Sequence, residues 1–188
     1  MSARPELHGV FLARHGETND NLEPFRFQGY TDTPLNETGR AQAHKLAQRV
    51  APDGFASLWA SDLSRARETA EIAGARIGLT PTLDPRLREG YRGRWEGHLM
   101  RDIEGTEPEL YAAWRRPDPD FRFPEGESLL EQQERVSAAL ADIHRTGPLP
   151  ALAVCHGGSI RVMLCAADPR GLAAFHEFDV PNVAVAPL

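Results

Sequence analysis

Apolar positions along the chain form two kinds of run. Short, nearly unbroken ones occur at Gly9–Arg14 (GVFLAR), Ala56–Ser61 (ASLWAS), Thr80–Leu87 (TPTLDPRL), Ala151–His156 (ALAVCH) and Asn182–Leu188 (NVAVAPL). Such runs predict strands. Longer amphipathic stretches lie between them, at Asn36–Val50, Leu63–Ile77, Met100–Arg115, Ser128–Arg145 and Ser159–Ala166. Leu46 and Val50 recur four residues apart; Val136, Leu140 and Ile143 recur at four and three, the spacing of one helix face. Asn36 ahead of Glu37 supplies the first helix with a cap. Alternation of strand and helix predicts an α/β fold: a three-layer α/β/α sandwich, its central sheet mostly parallel, with helices on both faces. In such sheets ligands bind beyond the carboxyl ends of the strands.

A chain of 188 residues suits one domain, residues 1–188. The stretch Arg115–Ser128 (RRPDPDFRFPEGES) reads as an ordered loop, part of a lid or insertion region around residues 90–128. A net charge of −6 argues against a general nucleic-acid or membrane-surface binder, though a local arginine cluster could still hold a small anion. The two cysteines, Cys155 and Cys165, are too few for a disulfide scaffold and are not spaced as zinc ligands. The opening MSARPELHG lacks an apolar signal core, so a cytoplasmic protein is expected, with a homodimer possible.

The strand ends carry the candidate chemistry. Arg14 and His15 close the first strand and Gly16 follows; His156 closes another, ahead of Gly157 and Gly158. Arg65 stands in the first turn of a helix that follows a strand, Glu89 ends a third strand region, and Asn21 is near His15 in sequence. Arginine forks match phosphate oxygens, and a histidine among cations is driven toward its neutral, nucleophilic form. The glycines would let the backbone approach an oxyanion, Gly16 keeping the space between clear. A carboxyl group such as Glu89 could protonate a leaving oxygen and later take a proton from water. These residues point to phosphoryl transfer through a phosphohistidine.

Six blocks in order also resemble a known family: LARHGET with Asn21, FQGYTDTPLNETGRAQA (Phe27–Ala43), SDLSRARETA (Ser61–Ala70), LREGYRGRWEG (Leu87–Gly97), PEGES (Pro124–Ser128) and VCHGGSIR (Val154–Arg161). Together they are similar to the histidine phosphatase superfamily, in its phosphoglycerate mutase-like branch. The resemblance implies that His15 is the phosphorylated nucleophile, that Arg14, Arg65 and His156 hold the phosphoryl oxygens, and that Glu89 is the proton donor. Asn21 and the Gly157 backbone would assist, with Gln28 and Gly29 of the second block as further substrate-binding candidates. No metal or cofactor is implied.

The chain departs from the family's pattern at Asp20, where an aromatic residue is common, and at Gly90-Tyr91-Arg92 after the acid. Arg92, Arg94, Arg115, Arg116 and Arg122 are either binders of a second negative group or solvated charges. The structural or solvent reading is preferred for His8, His44, His98, His144 and His176, and a packing reading for Cys155, Trp95 and Tyr91. Glu17 reads as an orienting or capping neighbour. The expected function is a metal-independent phosphomonoester phosphatase acting on a small phosphorylated metabolite. A cofactor-dependent phosphoglycerate mutase is the alternative, and a phospho-ligand binding module a third reading. The short segment after Glu89 leaves little material for a tight mutase lid.

Overall fold

A computed structural model describes residues 7–116, 118 and 120–188. The expectation for the N-terminal leader falls largely on Met1–Glu6, and part of the 90–128 region on Pro117 and Pro119; both lie outside the described residues. Five strands form one sheet: β1 (Val10–Arg14), β2 (Ser57–Ala60), β3 (Thr82–Leu83), β4 (Ala151–Cys155) and β5 (Val185–Pro187), in the order β3-β2-β4-β1-β5. All neighbours are parallel except β5, which runs antiparallel along β1 at the edge. Pro187 is tolerated there because an edge strand can leave one side of its ladder unpaired.

Side chains alternate across the sheet as the pleat requires. Val10, Leu12, Ala151 and Ala153 pack on one face with Val136, Leu140 and Ile143 of α5 (Leu129–Thr146) and Ile160 of α6 (Gly157–Ala167). Ala13, Leu152 and Val154 pack on the other with Leu46 and Val50 of α1 (Glu37–Val50) and Ala66 and Ala70 of α2 (Ser64–Ile77). β4 is buried along its whole length, which explains its unbroken apolar run. This is the expected mostly parallel sheet with helices on both faces.

Three expectations need correction. The helix over Met100–Arg115 is two, α3 (Met100–Thr106) and α4 (Pro108–Arg115), because Pro108 cannot donate to the preceding turn and instead opens a new helix. The strand over Thr80–Leu87 contracts to two residues, and Pro85–Leu87 forms a 3₁₀ turn capped by the Asp84 side chain. Finally, α6 starts at Gly157, not Ser159, so the two glycines are its first turn.

An aromatic cluster of Phe27, Trp95, Phe121 and Phe123 joins the segment between β3 and α5 to Val162 and Cys165 of α6. Its rings meet tilted or edge-on, Trp95 to Phe123 at 5.5 Å and Phe27 to Trp95 at 5.0 Å. This cluster fixes Trp95, Phe121 and Phe123 beside the carboxyl edge of the sheet.

Candidate active site

Register brings the two histidines together. Arg14 pairs with Cys155 in the β1–β4 ladder, and the next residue of each strand is a histidine. The His15 amide continues the ladder to the Cys155 carbonyl at 3.0 Å, and the imidazole centroids of His15 and His156 lie 5.1 Å apart. Both rings are almost completely buried. His15 Nδ1 donates to the Gly16 carbonyl at 2.6 Å, which leaves the lone pair on Nε2. Burial first, then the Arg65 and Arg14 charges, hold His15 well below its ordinary pKa, so the ring is neutral. His156 is lowered in the same way, by burial and then by Arg65, and its Nε2 is 2.9 Å from Ser61 Oγ.

The loop after β1 is clamped from two sides. The Gly16 amide donates to Thr69 Oγ1 on α2 at 3.1 Å, and Thr69 in turn donates to the Arg65 carbonyl. A Cβ on Gly16 would lie 2.3 Å from the Gly39 carbonyl oxygen, and one on Gly39 would lie 2.1 Å from the Glu17 carbonyl oxygen. Gly16 is therefore demanded by the crossing of this loop over the first turn of α1, not by clearance toward the ligand side as expected. Glu17 orients that crossing, its carboxylate accepting from Asn36, whose own Oδ1 caps α1 at Gly39 N.

Arg65 enters from the first turn of α2, fully buried, and donates to the carbonyls of Thr31 and Gly29 at 2.8 Å each. Burial lowers it to about 10, against the opposing pull of Glu89. Gly29 thus positions Arg65 through its carbonyl. Its φ of +53° and the 2.1 Å approach of a would-be Cβ to Glu96 Oε1 both require glycine. Arg14 donates Nη1 to the Val180 carbonyl at 2.6 Å. Arg14 Nε, Arg65 Nε, Arg92 Nη1 and His156 Nδ1 are buried without a hydrogen-bond partner among the described residues. Four orphaned polar nitrogens, three of them obligate donors, fit an anion as their common partner.

Glu89 faces the same space. Its Oε1 accepts from Gly90 N at 2.8 Å, Gln132 Nε2 at 2.9 Å and Arg92 Nη2 at 3.3 Å; among the described residues Oε2 accepts only from Gly158 N, at 2.9 Å. Burial would raise its pKa, but Arg92 and then the Gly158 and Gly90 amides and Gln132 prevail and hold it at about 2. Oε2 keeps a lone pair for proton transfer.

These groups border a cavity of about 450 Å³, within the range of small-metabolite sites. Arg14, His15, Asn21, Gln28, Gly29, Arg65, Glu89 and Gly157 of the expected set line it; His156 does not, though its ring centroid is 5.1 Å from that of His15. Asn21 accepts from Thr18 N at 3.0 Å, and Gln28 Oε1 is buried without a partner among the described residues. Of the five extra arginines, Arg92 and Arg115 line the cavity. Arg94 pairs with Glu107 and Arg122 with Glu131 at the surface, and exposed Arg116 turns back to the Ala112 carbonyl. His176 and Arg161 also lie on the cavity wall, His176 held there by its Nε2 contact to the Trp114 carbonyl at 2.6 Å. Gln132, Ser61 and Thr69 position site residues without reaching the cavity. Among the described residues no three His, Cys, Asp or Glu side chains gather as metal ligands, and no helix is long and apolar enough to cross a membrane.

A mostly parallel sheet whose carboxyl edge brings neutral His15, half-buried Arg14, buried Arg65 and the Glu89 carboxylate to one cavity, with neutral His156 against His15, defines an α/β protein with an anion-binding site. The sequence from residue 10 to residue 188 matches the histidine phosphatase superfamily (branch 1), and the chain belongs to that family. It is 41% identical over 161 residues to the Yersinia pestis protein named "Probable phosphoglycerate mutase GpmB", covering 82% of this chain and 72% of that one. The Cronobacter sakazakii protein of the same name is 42% identical over 135 residues, which are 70% of this chain and 60% of that protein. Among solved structures, a mycobacterial glucosyl-3-phosphoglycerate phosphatase in complex with VO3 has a TM-score of 0.85 at 31% identity, covering 94% of this chain and 88% of that one. The α-ribazole phosphatase of Shigella flexneri has a TM-score of 0.80 at 27% identity, covering 94% and 87%.

Proposed function

We propose that this chain is a phosphomonoester phosphatase acting on a small phosphorylated metabolite through a phospho-His15 intermediate. The observation that carries the reading is the state of His15: a buried, neutral imidazole whose Nδ1–H is spent on Gly16, so that Nε2 is the nucleophile. Nε2 attacks phosphorus while the P–O bond to the leaving group breaks. Arg14 and Arg65 take the equatorial oxygens, aided by the first turn of α6. Ser61 Oγ accepts from Leu63 N and lies 2.9 Å from His156 Nε2, to which we assign its proton. That choice puts the imidazole proton of His156 on the orphaned Nδ1, where it can donate to a phosphoryl oxygen.

Glu89 is a carboxylate in the free protein, so the proton for the leaving oxygen enters with the substrate as its phosphate monoanion and passes through Oε2. In the second half-reaction water attacks phosphorus, Glu89 accepts its proton and the P–N bond to His15 breaks. Two phosphatase structures among the relatives support the hydrolytic reading; the names of the curated relatives favour a mutase, in which the phosphoryl group returns to the bound product.

One experiment separates the two. 3-Phosphoglycerate, with a catalytic amount of 2,3-bisphosphoglycerate to charge His15, and separately p-nitrophenyl phosphate are incubated with wild-type protein and with His15→Ala, following free phosphate, 2-phosphoglycerate and acid-labile phosphoryl label on the protein. Release of phosphate with a transient label, reduced at least about 10³-fold in the variant, is expected. Formation of 2-phosphoglycerate without free phosphate overturns hydrolysis in favour of mutase chemistry.

A further inference from the structure

The chain closes on the loop after β1 through a turn whose residues stand in an unfavourable order. The Ala184 amide donates to the Pro181 carbonyl at 3.1 Å, which makes residues 181–184 a β-turn ahead of β5. Its third residue, Val183, has a φ of +56°, while Asn182 before it keeps a negative φ. Positive φ confined to that position is the type II pattern, which favours glycine or asparagine there. A β-branched side chain in that conformation is strained. The turn does contain an asparagine, but one position early, at Asn182. Exchanging the two residues would suit the backbone, so a demand from outside the turn holds Asn182 in its place.

That demand comes from the nucleophile. Asn182 lines the cavity, and its Nδ2 donates to the His15 carbonyl at 3.0 Å. The His15 carbonyl shares a peptide plane with the Gly16 amide, which donates to Thr69 Oγ1 at 3.1 Å. Asn182 and Thr69 thus hold the plane at both ends. Its orientation aims the next carbonyl, that of Gly16, at His15 Nδ1, 2.6 Å away, and this contact leaves the lone pair on Nε2. Asn182 Nδ2 also lies 3.4 Å from Asn21 Oδ1, which accepts from Thr18 N at 3.0 Å and Thr18 Oγ1 at 3.2 Å. Three donors on that oxygen leave Nδ2 as the end of Asn21 that can serve a ligand. The neighbours of Asn182 grip Arg14. Its amide donates to the Ala184 carbonyl at 3.0 Å, its carbonyl accepts from Val183 N at 3.1 Å, and its Nη1 donates to the Val180 carbonyl at 2.6 Å.

We propose that Asn182 is a positioning residue for the reaction: it locks the His15–Gly16 peptide, and through it the tautomer and aim of the His15 imidazole. The turn accepts strain at Val183 in order to present that side chain. The proposal rests on His15 being the nucleophile. In the sequence Asn182 only opens an apolar strand run, and nothing local marks it for the site.

The test compares wild type, Asn182→Ala, His15→Ala and an exchanged turn, Asn182→Val with Val183→Asn, on p-nitrophenyl phosphate. Both Asn182 variants are expected to lower kcat by about 10- to 100-fold with KM within about threefold of wild type, as loss of aim does. The exchanged turn puts asparagine where the backbone favours it, so its Tm should stay within about 5 °C of wild type while its activity falls. Were the turn merely structural, that variant would keep its activity. ¹⁵N spectra of the imidazoles, with His15 assigned by difference from His15→Ala, give a readout independent of turnover. Wild type should show His15 protonated on Nδ1 alone, and Asn182→Ala a mixture of both tautomers. A folded Asn182→Ala or exchanged turn with kcat within about twofold of wild type overturns the proposal. So does a single unchanged tautomer in Asn182→Ala. If His15→Ala keeps its turnover, the phosphohistidine reading falls, and the tautomer spectra alone decide the role of Asn182.

Discussion

A carboxylate held at about 2 has no proton to give at neutral pH, and that sets the residue-scale behaviour of Glu89. If the substrate monoanion carries the proton in, kcat/KM for an alkyl phosphomonoester falls as pH rises past the second phosphate ionisation, near pH 6. A rate profile flat from about pH 6 to about pH 8 would contradict this. Glu89→Gln keeps the hydrogen-bond shape but cannot shuttle a proton, so it should lower kcat for glycerol 3-phosphate by roughly 10²–10⁴-fold. p-Nitrophenyl phosphate, whose leaving group needs little protonation, should suffer much less. Equal losses on the two substrates would reassign Glu89 to binding alone. The sequence made Glu89 visible as a strand-end acid, but Gln132, forty-three residues further on in α5, could not be read as its partner. Nothing local marks a glutamine on a helix face for that task.

At the scale of elements, the two glycines that open α6 differ sharply. A Cβ at Gly158 would lie 2.2 Å from Glu89 Oε1, whereas one at Gly157 would come no nearer than 3.4 Å, to Arg14 Nε. Gly158→Ala should therefore displace Glu89 and Arg92 and reduce kcat/KM by about tenfold or more, as misplacement by an ångström does. Gly157→Ala should be mild, and urea midpoints of both should stay near wild type because alanine favours helix by up to about 1 kcal/mol. Equal activity of the two variants would refute the assigned geometry. The sheet and four of the helices were legible because β1, β2 and β4 carry period-two or continuous apolar runs and α1, α2, α5 and α6 carry helical ones. The His-Gly-Gly stretch was legible as a site, yet its helical first turn was not, since glycine is a poor helix former and reads as loop. The break at Pro108 was not read, because the apolar spacing of Met100–Arg115 runs on across it and suggests a single helix. Arg161 and His176 reach the cavity only through tertiary packing of α6 and the segment after it, so no spacing in sequence could announce them.

The whole molecule carries a net charge of −6, yet its cavity concentrates arginines whose burial lowers Arg14, Arg65 and Arg92 from their ordinary values. Folding therefore stores unfavourable cation burial in the site, and an anion that binds only the folded chain should relieve it. Inorganic phosphate at a hundredfold over its dissociation constant would add about 2.7 kcal/mol of stability, which for a chain of this length raises Tm on the order of 5–10 °C. Acid should act in the opposite direction. His15 and His156 are lowered in the fold from the ordinary 6.5, so the unfolded chain binds protons that the folded one refuses, and stability is lost as pH falls below about 6.5. Glu89, lowered from 4.5 to about 2, adds a second loss of the same sign below about pH 4.5. Thermal melts of the phosphate-free protein should thus show Tm declining from about pH 7 to about pH 5, before most carboxylates titrate. His15→Ala should flatten that limb, because one of the two buried imidazoles is gone. A phosphate-free Tm unchanged between those pH values would mean that the histidines accept protons in the folded state, and with that the neutral nucleophile on which the chemistry depends would be lost.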